Sequence, residues 1–207
     1  MKRHALAVFL TACTVVPSAM AQQNEISGLI GRTFISDQGI QGSNSFDNNL
    51  RFGKGLTFEG NYARRLRVYP VWSLSAEVPV VINIDEDIHA PLPFEVPESY
   101  KSFMVTPAAR VNIFPTTAVS PWFSGGGGFA HFSESSNLLF VGTNTGSRGT
   151  TTGALELGAG LDVRLFKSFI LRGAFRDFWT GVPQLNVDTG KSHQHNYFVG
   201  AGLVWQF

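Results

Sequence analysis

The sequence has few of the residues that organise most small domains, with a single cysteine, Cys13, among 207 residues and only 15% charged residues. One cysteine cannot form a disulfide within the chain, so a disulfide-stapled scaffold is excluded. Sixteen basic residues stand against 15 acidic ones, a balance that leaves no basic footprint for a nucleic acid. No apolar run reaches the ~20 residues of a membrane-spanning helix. We therefore expect one domain that is organised neither by disulfides nor by a membrane-spanning helix.

The first 21 residues have the pattern of an export signal. Two basic residues precede an apolar stretch at 5–16, and a small-x-small cleavage site follows at 19–21. We expect cleavage there, which leaves residues 22–207 as the mature domain, without Cys13. An alternative remains open, because residues 10–13 resemble a lipoprotein processing box that would leave Cys13 as a lipidated N-terminus.

The abundant residues are glycine, with 22 copies, and phenylalanine, with 18. Both occur in segments of about ten residues in which apolar side chains alternate with small or polar ones. In the clearest case, residues 152–165, Leu155 and Leu157 share one face while Glu156 and Asp162 share the other. This alternation is typical of a strand between lipid and a polar interior.

Eight such segments are separated by connections that alternate between long and short. The segments are 26–35, 56–62, 72–80, 103–113, 121–132, 152–165, 169–176 and 196–207, and the facing of the first and fifth is not assigned by the pattern. The short connections lie near 65–67, 115–118 and 166–168, and the long ones at 36–54, 82–101, 133–150 and 180–194.

The pattern predicts an all-β fold, an eight-stranded antiparallel up-and-down transmembrane β-barrel with short periplasmic turns and four long extracellular loops. Both termini are then periplasmic. A soluble β-sandwich is the alternative, since its strands also alternate. The even strand count, the loop asymmetry and aromatic residues near strand ends, such as Trp72 and Tyr197, favour the barrel.

The predicted facing places seven charged side chains inside the barrel. An eight-stranded lumen is just wide enough for side chains, and confined charges must be paired. We expect the set to interlock as a plug, with a gate that opens by exchange of partners as the alternative. The residues are Glu59, Glu77, Arg110, Glu156, Asp162, Arg172 and Arg176.

Other groups that carry chemistry are sparse, and no catalysis is expected. His131 with Ser133 and Glu134, or His193 and His195 with Asp177, would be the candidates for an enzyme, but neither set forms a recognised active-site motif. The two histidines at 193 and 195 lack an evident third metal ligand, and the acidic run at 84–87 lacks the ligand spacing of a calcium loop. The glycine run at 125–128 is not followed by the lysine and helix of a phosphate loop. No metal or cofactor is predicted.

The chain ends on apolar residues at alternate positions that finish with phenylalanine, namely Tyr197, Leu203, Trp205 and Phe207. With this ending, the mature sequence resembles the small outer-membrane β-barrel proteins similar to the OmpA transmembrane domain and OmpX. The segment 121–129 also looks like a strand common in such barrels. In that family the terminal residues form the signal read by the barrel-assembly machinery.

The resemblance implies an integral protein of the bacterial outer membrane whose extracellular loops serve a structural role or bind a surface partner. The expected partners are outer-membrane lipids, lipopolysaccharide, the assembly machinery and an extracellular ligand, and the expected state is a monomer. A lipid A-modifying enzyme and a narrow or gated pore are the alternatives, because one fold hosts many functions.

Overall fold

A computed structural model describes residues 23–42, 47–91, 95–140 and 142–207, so the predicted signal and Cys13 lie outside the described residues. In the described part of the chain, no helix is long and apolar enough to cross a membrane. The described chain forms eleven strands: β1 Asn24–Ile35, β2 Gln38–Gly39, β3 Asn49–Phe52, β4 Leu56–Val68, β5 Trp72–His89, β6 Ser99–Val105, β7 Ala108–Ile113, β8 Val119–Glu134, β9 Thr150–Arg164, β10 Phe169–Gly181 and β11 His193–Gln206.

Nine of these strands form a closed ring with eight positions. Strand β1 pairs with β4, β4 with β5, β5 with β6 and β7, both of these with β8, and β8, β9, β10 and β11 follow in order. Strand β11 closes the ring against β1, from the Glu25–Gln206 pair to the Ile35–Asn196 pair. Every pairing is antiparallel, which confirms the predicted all-β, eight-stranded, up-and-down fold.

The fourth position of the ring is interrupted, so that β6 and β7 are two halves of one strand. Thr106 and Pro107 separate them, and proline cannot donate a ladder hydrogen bond. Strand β8 passes close to this break, because a Cβ atom on Gly126 or Gly128 would overlap the carbonyl oxygen of Pro107 or Val105. The glycine run therefore permits a close approach of two backbones.

Three tight turns, at 69–71, 114–118 and 165–168, lie at one end of the ring. Both ends of the described chain lie there too, since the backbone N–H groups of Asn24 and Phe207 each donate to the other's carbonyl, at 3.0 and 2.9 Å. The first turn was predicted near 65–67, which is wrong by about four residues. Those residues form a bulge inside β4, and the bulge delays the turn.

At the opposite end, the predicted second long loop begins too early. Strand β5 continues to His89, and the loop covers only 90–98. The strand changes its outward residues from apolar to acidic at Asp85, so the alternation of hydrophobicity ends before the strand does. The first loop contains the β2–β3 hairpin, which pairs with this extension through Arg51 and His89.

The ring has an apolar outer face and a filled interior. Leu157 is 70% exposed on the outside, whereas the adjacent Glu156 is 1% exposed inside. In the two strands whose facing the pattern left open, Ile26, Ile30, Phe123 and Phe129 point outward, as their exposure shows. The other face of these strands contributes Glu25, Leu29 and Trp122 to the interior.

The interior has two layers. The half toward the tight turns holds most of the charged side chains, and the half toward the long loops holds the large apolar ones together with buried polar groups such as Glu86 and Gln194. Ring residues that fill the apolar half are Tyr100, Met104, Phe132, Phe178 and Phe198, and residues of the first, second and fourth loops close it from above, namely Ile40, Leu50, Val96 and Leu185. We call these nine residues the apolar cap.

Candidate functional site

All seven charged residues predicted to face the lumen lie there, and each is at most 5% exposed. They come from five strands, β4, β5, β7, β9 and β10, because each occupies the inward parity of its strand. The structure joins them, together with Glu25, into one set of ion pairs that we call the lumen network.

Arg176 is the most connected member of the lumen network. Its Nε and Nη2 atoms both donate to Glu59, each at 3.0 Å, in a two-pronged arrangement. Its Nη1 atom donates to Glu77 at 3.0 Å and also to Glu156. One guanidinium therefore holds three carboxylates, for which its planar, five-donor geometry is suited.

The remaining arginines connect the network to the tight-turn end. Arg172 donates to both oxygens of Asp162 at 2.7 Å. Arg110 donates to Glu77 at 3.0 Å and to Glu25. It therefore links Glu25 to the carboxylates around Arg176. Asn112 donates to Asp162 at 3.1 Å and extends the bonding to uncharged groups.

Glu25 is a member that the sequence did not assign. Its carboxylate accepts hydrogen bonds from Arg65 and Gln206, both at 2.9 Å, and pairs with Arg110 and Arg172. The facing of β1 was left open because Leu29 points inward among apolar outward residues. The outward run of Ile26, Gly28 and Ile30 would have been the signal that places Glu25 inside.

Trp122 was also missed, since a tryptophan beside Phe123 can occupy either face of a strand. It is fully buried, with the guanidinium carbons of Arg172 and Arg176 at 5.5 and 5.2 Å from its ring centre. This is cation–π geometry on two cations. Room for the ring comes from Gly160 on β9, where a Cβ atom would overlap the indole.

Five carboxylates and three arginines form the buried part of the network, and the side chain of Arg65, 16% exposed, adds a fourth cation at its edge. Unpaired charges in such a space would be strongly unfavourable, so the pairing is required once the strands bring the groups together. The recess beside the network at the tight-turn end has a volume of only about 10 Å³. This is about the space of one water, so the network leaves little free volume at this end of the lumen.

The two candidate catalytic sets are not assembled as triads. His131 points outward and accepts or donates a hydrogen bond with Thr151 at 2.8 Å, whereas Glu134 is buried on the other face of β8. His195 does pair with Asp177, with 2.8 Å between Nδ1 and the carboxylate, on the outer wall. Among the described residues no hydroxyl group is hydrogen-bonded to His195.

Within the described ranges, no group of three potential metal-ligating side chains is found. The acidic run at 84–87 does not form such a group, because it lies in strand β5 and not in a loop. Glu86 is buried inside the ring, and Asp85 and Asp87 point outward, so the three carboxylates do not converge. The burial of Glu86 raises the pKa of its carboxyl to about 7.

The four residues of the predicted assembly signal lie together on the outer face of β11 and just beyond it. Tyr197 is partly exposed, and Leu203, Trp205 and Phe207 are exposed at alternate positions. The rings of Trp205 and Phe207 are 4.8 Å apart at the tight-turn end. These side chains are therefore accessible from outside the ring.

No protein-family model and no curated protein matches the chain. Solved structures do match it over nearly its whole length. Neisserial surface protein A has a TM-score of 0.55 and 15% identity, over 91% of this chain and 99% of that one. The outer membrane protein OprG from Pseudomonas aeruginosa has a TM-score of 0.51 and 13% identity, over 90% and 96%.

The chain has the fold of the small outer-membrane β-barrels. The outer membrane protein AlkL, solved in lipid bilayers, is a further example, with a TM-score of 0.51, 13% identity and coverage of 93% and 94%. At these identities the likeness defines the barrel architecture, and functional arguments have to come from the residues of this chain.

Proposed function

We propose that the protein is an integral outer-membrane barrel of the closed type, without catalysis, whose loops act as a structural or binding surface. The first support is the outer face. Large apolar side chains at Leu155, Leu157, Phe123 and Leu203 are more than half exposed, which is unfavourable in water and favourable against lipid. The ring also leaves no unpaired strand edge, as a bilayer requires.

The observation that carries the proposal is the double closure of the lumen. The lumen network fills the half toward the tight turns, where Arg110, Arg172 and Arg176 are all completely buried. The apolar cap fills the other half. A solute would have to separate paired charges and then displace packed apolar side chains, so an open or readily gated pore is disfavoured.

The loops are connected to one another, which supports a rigid surface. The N–H of Gln41 in the first loop donates to Asp188 in the fourth, at 2.8 Å. The N–H of Leu139 in the third loop donates to Val96 in the second, at 2.9 Å. Asn186 and Asn144 join the fourth and third loops at 2.9 Å. Binding surfaces commonly consist of such loops on a rigid scaffold.

We place the long-loop end outside the cell and the tight-turn end, with both termini, in the periplasm. Small outer-membrane barrels have short periplasmic turns. The tight-turn end of this chain carries an excess of basic residues, such as Arg64, Arg67 and Lys167, which suits the anionic headgroups of an inner leaflet.

The test combines three measurements on the refolded barrel and on intact cells. We expect a band whose gel mobility changes on boiling, no stepwise conductance in planar bilayers, and external protease cuts confined to the four loops. A general porin in the same bilayers is the positive control. Regular conductance steps would overturn the closed-barrel proposal in favour of a pore.

A fourth measurement addresses catalysis and binding. We expect unchanged lipid A mass when the protein is expressed in a host that carries the substrate, and a mass change that is lost in His195→Ala would overturn this part. Removal of residues 136–147 from the third loop should leave membrane insertion intact and weaken attachment of the cells to a surface coated with extracellular matrix. Equal attachment after trimming of every loop would contradict a binding role.

A further inference from the structure

We infer that the outer wall formed by β8 to β11 is a docking site for a phosphorylated, acylated lipid of the outer leaflet, of the lipid A type. The inference rests on the membrane location proposed above and assigns a specific surface to it. An apolar groove would hold an acyl chain, and a neighbouring group of basic side chains would bind the phosphate.

The groove is a recess of about 480 Å³ in the lipid-facing wall. Its floor lacks side chains at Gly127 and Gly153, and Leu155 and Trp179 form its walls. The Gly153 position has open space around the place of a Cβ atom. A recess in a surface that faces hydrocarbon is filled by hydrocarbon, because an empty one forfeits dispersion contacts.

A ladder of aromatic rings shows where the groove lies relative to the headgroups. Phe175, Tyr197, His195, Trp179 and His193 follow one another up the wall, with centroid distances of 6.1, 5.6, 6.3 and 5.1 Å. Tyrosine and tryptophan favour the boundary between hydrocarbon and water. His193, the upper end of the ladder, therefore lies at headgroup level, and it also lines the groove.

A smaller recess, of about 140 Å³, adjoins the groove at His193. Lys191, His193 and His195 line it together with Ser36 and Gln38, so it offers one ammonium group and several hydrogen-bonding groups to an anion. Of the acidic residues nearby, Asp177 is paired with His195, the Asp188 carboxylate accepts a hydrogen bond from the Gly190 N–H, and Asp37 is exposed between two lining residues.

Two further cations lie on the same side of the barrel. Arg32 is opposite Val199 in the β1–β11 register, and its guanidinium donates to the carbonyl of Lys54 at 2.6 Å. Three positions along the ring, β5 presents Asp85 and Asp87 on its outward face at the long-loop end, where the Gly53 N–H donates to the Asp87 carbonyl. Near β11, Lys191, Arg32 and Lys54 therefore supply the cations for an anionic headgroup.

Native mass spectrometry of the detergent-solubilised barrel, titrated with purified hexa-acylated lipid A, tests the groove. Gly153→Leu adds a side chain to the groove floor, and Gly60→Leu adds the same side chain to the outward face of β4, where space is equally open. We expect Gly153→Leu to weaken lipid A binding about tenfold, since several methylene contacts are lost, and Gly60→Leu to leave it unchanged. Equal affinities of the two variants would overturn the inference.

The phosphate is tested with the Lys191→Ala/His193→Ala double variant and a matched His89→Ala/Lys101→Ala control on the β5 side. The first pair should reduce binding of lipid A about tenfold and leave binding of its dephosphorylated form unchanged, whereas the control should bind both as the parent does. Dioleoyl phosphatidylglycerol that binds as tightly as lipid A would overturn the assignment to an outer-leaflet glycolipid. The boiling-dependent mobility shift of each variant separates loss of this site from loss of the barrel itself.

Discussion

Replacement of Arg176 by methionine is the sharpest test of the lumen network. The substitution removes the guanidinium and keeps much of the side-chain volume, so it affects charge more than packing. Glu77 retains its bonds from Arg110 and Asn61, and Glu156 retains those from Ser124 and Thr106. Glu59, however, loses both of its side-chain hydrogen bonds and stays buried.

The cost therefore comes mainly from Glu59. Removal of one partner from a buried ion pair typically costs about 3–5 kcal/mol, and we expect Arg176→Met to lower the free energy of unfolding by about 4 kcal/mol. Neutralising the orphaned group should recover about half of this, so Arg176→Met/Glu59→Gln is predicted to be about 2 kcal/mol more stable than Arg176→Met.

The matched control is Arg51→Met. Arg51 also pairs with a carboxylate, Asp47, at 2.7 Å, but the two side chains are 55% and 38% exposed. An exposed pair contributes about 0.5 kcal/mol or less, so this variant should unfold close to the parent.

The assay is urea unfolding of the barrel in phospholipid vesicles, followed by tryptophan emission. Trp122, one of four tryptophans in the chain, packs against Arg176 and contributes to this emission from within the network. Comparable small losses in Arg176→Met and Arg51→Met would refute the reasoning, because they would mean that the buried charges are individually solvated. No gain on adding Glu59→Gln would refute the assignment of the cost to that carboxylate.

Three further predictions follow from the same structure. Gly160→Ala should lower the free energy of unfolding by about 1–3 kcal/mol, because its Cβ atom would overlap Trp122, while Gly60→Ala should be nearly neutral; equal effects in urea unfolding would contradict this. Glu86 lies in the part of β5 whose outward residues, Asp85 and Asp87, are acidic and not apolar. The pKa of its carboxyl is raised to about 7 in the folded state, so between about pH 4.5 and 7 the folded state holds a proton that the unfolded state has released. Stability should therefore fall as the pH rises from about 5 to 7, and Glu86→Gln should flatten the dependence of the urea midpoint on pH; an unchanged slope would exclude Glu86 as its source. Deletion of Phe207 should reduce the fraction of protein that shows the boiling-dependent mobility shift in cells, with deletion of Gln23 as the control, and equal fractions would argue against a terminal assembly signal.

Two loop residues that help to close the lumen also hold the loops in place. Leu50 and Val96 are completely buried although they belong to the first and second loop regions. Their burial fixes parts of the loops to the top of the ring, so the loops present one connected surface. Changes at such anchors should alter binding through loop position, and changes at exposed loop residues should alter it through direct contact.

The sequence by itself determined the class of the fold and most of the interior. Alternation with period two specifies which residues share a face, so Glu156 and Arg176 could be assigned to the lumen from their neighbours alone. The alternation of long and short connections determined the strand count and placed both termini at one end. These features depend only on local spacing, which the sequence displays directly.

The tertiary structure alone decided which inward side chains meet. The partners of Arg176 are 20 to 117 residues away in sequence, and the register of the closed ring sets their distances. The register also brings Glu25 and Trp122 into the network. For the same reason, the lumen is closed by three loop residues, Leu50, Val96 and Leu185. The alternation along a strand predicts which face of the sheet a side chain occupies, but not its position along the barrel axis. Contacts across the lumen depend on that position, which is set by the register of each strand with its neighbours.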